Sequence, residues 1–93
     1  MKKFQENLNT AVLTTIHVLE NQSPITHVHH YDEDGVWQFS GLEEIDNNQA
    51  FRIVSLEEMI KLDDSILEVS DLPLGYEAYR EKIGSFWKII KMS

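Results

Sequence analysis

The pattern of apolar and polar residues predicts short strands up to Val54, two short helices after Ser55 and a last strand near the end. Met1 to Asn9 is polar with Phe4 and Leu8 four apart, which fits a helical turn or a frayed end. Thr10 to Leu19 reads as a strand, ended by the turn-forming Asn21-Gln22-Ser23-Pro24. Ile25 to Tyr31 and Val36 to Ser40 flank Asp32-Glu33-Asp34-Gly35. They read as a hairpin whose Asp-Gly pair supplies the positive φ of the turn. A polar loop from Gly41 to Gln49 leads to a short strand from Phe51 to Val54. Ser55-Leu56-Glu57-Glu58 then has the form of a capping box. The same spacing recurs at Ser65-Ile66-Leu67-Glu68, so two short helices are expected, Leu56 to Leu62 and Ile66 to Ser70, joined at Asp63-Asp64. Pro73 and Gly75 stop helical structure, and Tyr76 to Gly84 has no decisive pattern. Ser85 to Met92, with Phe86, Trp87, Ile89 and Ile90, reads as a last strand buried on both faces. The expected architecture is α+β: a mainly antiparallel sheet of four to five strands, with two short helices inserted before the last strand.

Length adds that residues 1–93 form a single domain with one core, burying about 60 to 70% of the surface of the unfolded chain. The absence of cysteine removes disulfide frameworks, thiolate metal sites and thiol catalysis. The amino terminus lacks the pattern of a signal peptide, and no apolar run reaches the length of a membrane span, so a cytoplasmic location is expected.

The layout of charge is more informative than the net −8. No Lys or Arg occurs from Phe4 to Phe51, while Glu6, Glu20, Asp32, Glu33, Asp34, Glu43, Glu44 and Asp46 all fall there. Such a surface repels nucleic acid and anionic membranes, so neither is expected as a partner. Arg80, Lys82, Lys88 and Lys91 near the end balance the acidic half.

Asp32-Glu33-Asp34-Gly35-Val36-Trp37-Gln38-Phe39, the Leu56-Glu57-Glu58 helix start and Asp63-x-Ser65 through Asp71-Leu72-Pro73-x-Gly75-x-x-Ala78-x-Arg80, with the final Trp87, resemble a group of small uncharacterised bacterial proteins. The resemblance spans roughly residues 28 to 88. It implies a compact bacterial domain and carries no activity or catalytic residue with it.

The histidines are the candidates for chemistry. With an even loop, His30 shares a face with Trp37 and Phe39, and His27 and His29 lie on the other with Gln38 and Ser40. Placing Val12, Ile16 and Val18 inward sends His17 to the side of His27, although Leu13 and Leu19 argue for the opposite register. A His17, His27, His29 cluster would suit zinc or nickel, with Glu43, Glu44 or Asp46 completing it. The plainer alternative is three polar residues on a solvated sheet face, with His30 half-buried and hydrogen-bonded near Trp37. Asp32 to Asp34 lack the frame of a calcium loop, Ser55 and Ser65 are explained as helix caps, and the four glycines are too widely spaced to cradle phosphate. No resident cofactor is expected. The loop from Leu72 to Tyr76, with Tyr79 and Arg80, has the composition of a contact surface or of a lid over the core edge.

Two function readings follow. The first is a non-catalytic domain that meets a basic partner protein, inhibitor- or immunity-like, through Asp32, Glu33, Asp34, Glu43, Glu44, Tyr76 and Arg80. The second is a metal-binding domain built on His17, His27 and His29. Either is compatible with a monomer or an edge-paired homodimer.

Overall fold

The computed structural model describes residues 2–43 and 48–92. The chain is α+β, as expected, with β1 (Ala11–Thr15), α1 (Ile16–Glu20), β2 (His27–His30), β3 (Trp37–Ser40), β4 (Phe51–Ser55), α2 (Leu56–Leu62), a 3-10 helix (Asp64–Val69), β5 (Tyr76–Tyr79) and β6 (Lys88–Lys91). The strands form a six-stranded sheet in the order β4-β1-β3-β2-β5-β6. It is mixed, because β1 runs parallel to β3 and every other neighbouring pair is antiparallel. The expected four to five antiparallel strands are therefore corrected in number and in direction.

The β2–β3 hairpin forms with an even loop, so His30 shares a face with Trp37 and Phe39 as expected, and the register sets His30 opposite Trp37 and His27 opposite Ser40. Tyr31 and Val36 close a four-residue turn in which Gly35 has φ 75°. The capping box also forms: Ser55 Oγ accepts from Glu58 N at 3.2 Å, and Glu58 Oε1 accepts from Ser55 N at 3.2 Å. Its repeat does not. Asp63 caps the second helix instead, its Oδ1 accepting from Ser65 N at 3.0 Å and from Ser65 Oγ at 2.6 Å.

The strand expected from Thr10 to Leu19 ends at Thr15. There the buried hydroxyl accepts from Val18 N at 3.2 Å and starts α1, so a single cap overrides the β preference of Ile16 and Val18. The amino-terminal segment forms no helix in its described residues. Phe4 is buried edge-on against Trp37, ring centroids 4.9 Å apart, and the carbonyls of Leu8 and Thr10 accept from the first amides of α2. Tyr76 to Tyr79 is a strand, and β6 is an edge strand paired only with β5 rather than a strand buried on both faces, since all four of its residues are exposed.

The buried hydrophobic residues of the strands, Val12, Val28, Trp37, Phe39 and Ala78, all lie on one face, against Phe4, Val18, Leu56, Met59, Ile66, Val69 and Leu72. None of the apolar residues on the opposite face is buried. Sequence alternation along each strand thus yields one covered face and one open face. No described helix is long and apolar enough to cross a membrane.

Arg80 holds the covered side together. Its side chain is 1% exposed, and its Nη2 donates to Asp63 Oδ2 at 3.0 Å. Nε donates to Ile25 O at 3.0 Å, and the guanidinium carbon lies 4.1 Å from the Trp87 ring centroid. Replacing Arg80 by Met would leave Asp63 partly buried without its cation, and the expected loss of stability is about 3 kcal/mol. Urea unfolding of Arg80→Met measures this; a loss below about 1 kcal/mol would show that the ion pair only offsets its own desolvation.

Candidate functional site on the open sheet face

The register places side chains from six strands in one row on the open face: Ile53, Leu13, Gln38, His29, Glu77 and Ile90. Its centre is polar and internally bonded. His29 Nε2 lies 2.8 Å from Glu77 Oε2, and its ring stacks on Tyr31 with centroids 5.7 Å apart. Tyr31 Oη donates to Gln38 Oε1 at 3.2 Å. Alongside, His27 Nδ1 is 2.8 Å from Thr26 Oγ1, and the His27 ring stacks on Tyr79 at 6.2 Å.

These contacts set the local electrostatics. Burial pushes the pKa of His27 below its ordinary value, the neighbouring His29 adds to this, and Glu77 opposes it. Burial, followed by the charges of Glu77 and Asp34, pushes the phenol of Tyr31 up.

One end of the face is apolar. Ala11, Leu13, Val36 and Ile53 line a groove of about 400 Å³ together with Tyr31, Gln38 and the Asp34 side chain, and Ile53 is 72% exposed. The groove exists because β1 and β3 run side by side, with Leu13 opposite Gln38 and Ile53 opposite Leu13. The exposed Asp32, Glu33 and Asp34 form the hairpin tip next to it. Asp34 Oδ1 accepts from Val36 N at 3.0 Å, which fixes the turn. Among the described residues no Lys or Arg forms an ion pair with these three acids.

The predicted partner-binding residues are therefore split. Asp32, Glu33 and Asp34 stand together, but Glu43 follows the other end of β3, where its carboxylate accepts from Ser23 Oγ. The Ser23 hydroxyl, a backbone amide and nearby His17 together lower the Glu43 pKa despite slight burial. Glu44 and Asp46 lie outside the described residues. Tyr76 packs against the core from the covered face. Arg80 is corrected to an internal residue, since its buried ion pair with Asp63 withdraws it from the surface.

His27 and His29 share a face, as alternation requires, with Glu77 across from His29. His17 instead belongs to α1, because Thr15 ends the strand before it, and the strand geometry that would have aligned the three is absent. No group of three His, Asp or Glu side chains among the described residues is placed to hold a metal ion. Sequence reasoning missed the Leu13, Val36, Ile53 groove. The one available signal was Ile53, an apolar residue out of phase with a core-facing Val54.

No protein-family model matches the chain, and no curated protein and no solved structure matches it.

The folded-state pKa of His27 lies below its ordinary 6.5, so the unfolded chain takes up the proton first on acidification. The contribution of His27 to stability is complete above 6.5 and is lost as pH falls through 6.5 toward the depressed value. In NMR titrations His29→Gln is expected to raise the His27 midpoint without restoring it fully, because burial is the larger cause. An unchanged midpoint would remove His29 from the explanation.

Proposed function

We propose that this is a non-catalytic binding domain that docks a basic partner protein on its open sheet face, in the manner of an inhibitor or immunity protein. The observation that carries the reading is the apolar groove around Ile53 set directly beside Asp32, Glu33 and Asp34, three carboxylates that no described Lys or Arg neutralises. Apolar area supplies affinity, and an adjacent unpaired charge speeds encounter with a partner of opposite sign. Asp34 Oδ1 already holds the Val36 amide, so the tip is formed before any partner arrives. The bacterial setting implied by the hairpin and Leu-Pro-x-Gly motifs is consistent with an immunity-like role.

The test is pull-down of basic proteins from a bacterial extract at low and high salt, with two variants that leave the core untouched. Ile53→Ser is expected to weaken capture about tenfold through lost contact area. The triple change Asp32→Asn, Glu33→Gln, Asp34→Asn keeps the Oδ1 acceptor of the turn and is expected to flatten the salt dependence. A partner held equally by both variants, or held indifferently to salt, would overturn the proposal.

A further inference from the structure

On the covered side of the same hairpin tip lies a second hollow of about 420 Å³, with Glu6, His30, Gly35, Trp37 and Ser70 in its walls. The protonation pattern of its polar groups follows from their partners. His30 Nδ1 is 2.7 Å from the Leu72 carbonyl, which only accepts, so Nδ1 carries the hydrogen and neutral His30 presents a lone pair at Nε2. That Nε2 lies 3.9 Å from Glu6 Oε2, too far for a hydrogen bond. Glu6 Oε2 accepts from Trp37 Nε1 at 3.0 Å, which holds the carboxylate in place. The His30 ring is fixed as well, stacked on Trp37 with centroids 3.9 Å apart. Ser70 is buried, and its hydroxyl has no hydrogen-bond partner among the described residues. His30 Nε2 and the Glu6 carboxylate, one neutral acceptor and one anionic, thus stand 3.9 Å apart with no hydrogen bond between them, and Gln5, Lys3 and Ser70 are the donors in the same walls. That pair of acceptors suits a ligand with two N–H groups and a positive charge.

We propose that this hollow takes a guanidinium group, and that its carrier is an arginine of the basic partner. The planar fork of a guanidinium offers two hydrogens side by side, one for His30 Nε2 and one for Glu6, which a single-point cation cannot match as well. Lys3 also lines the hollow and is exposed; its charge opposes a second cation, and it can swing into solvent as the guanidinium enters. Gly35 belongs to both the tip and this hollow, so a partner engaging the acidic tip has an arginine within reach of it. The choice of carrier rests on the reading above; the affinity for guanidinium does not.

The probe for the first half is N-methylguanidinium, titrated while the Trp37 indole N–H and the His30 ring signals are followed by NMR, with Trp87→Phe to assign the indoles. Saturable shifts of both signals are expected. Tetramethylammonium, which has the charge and no donor, should produce none. Glu6→Gln keeps an oxygen acceptor for Trp37 and removes the charge, and should weaken binding about tenfold or more. Lys3→Gln should strengthen it. No saturable shift, an equal response to tetramethylammonium, or unchanged binding in Glu6→Gln with an unchanged melting temperature would overturn the site. The second half is read from the partner pull-down. Loss of capture with Glu6→Gln supports an arginine in the hollow. Capture that remains salt-sensitive and undiminished in Glu6→Gln overturns the carrier while leaving the docking proposal standing.

Discussion

The buried guanidinium of Arg80 is the constraint around which the rest of the molecule is arranged. An arginine inside a small domain is costly to desolvate and persists where its charge is met. Asp63 meets the charge, Ile25 O takes the Nε hydrogen, and Trp87 lies against the guanidinium at 4.1 Å, while the buried Nη1 has no hydrogen-bond partner among the described residues. Asp63 is also the residue that ends α2 and caps the following 3-10 helix. Arg80 and Asp63 thus link the break between α2 and the 3-10 helix to the end of β5, to the segment leading into β2 and to Trp87.

Features set by neighbouring residues were legible in the sequence. The Asp-Gly turn, the face that His30 shares with Trp37, the Ser55 capping box and the burial of Trp37 and Phe39 each depend on a few adjacent positions. Features set by distant partners were not. Nothing near Leu13 announces Gln38 as a parallel neighbour, and nothing near Arg80 announces Asp63. The run from Thr10 to Leu19 failed for another reason: its β-branched composition is real, but the Thr15 hydroxyl found a backbone donor in Val18 and turned the chain. Of the candidate site, the acidic tip was readable as a charge run. The groove beside it required the order of β4, β1 and β3, which no local pattern encodes.

That order also explains why one face stays open. The helices and the amino-terminal segment pack on the same side of the sheet, joined through one continuous hydrophobic cluster. On the other side the central row closes upon itself, since His29 meets Glu77 and Tyr31 meets Gln38. Those contacts let a polar row face solvent without unpaired carboxylates at its centre. The sheet ends are treated differently. β6 carries Lys88 and Lys91, and pairing it antiparallel with its own copy in the Lys88-to-Lys91 register would set cation against cation. β4 exposes Arg52 and Ile53.

The hairpin tip consequently stands between two hollows of opposite character. On the open side the walls are Leu13, Val36 and Ile53, which reward contact area and discriminate little between apolar groups. On the covered side Glu6 and His30 are oriented by Trp37 and by the Leu72 carbonyl, and fixed acceptors discriminate sharply because an incorrect ligand leaves them unpaired. A partner that reached the first hollow alone would bind through area, and one that reached both would be selected by hydrogen bonding. The same four-residue turn sets the distance between the hollows. The turn itself is fixed by the Asp34 carboxylate on the Val36 amide and by the positive φ of Gly35.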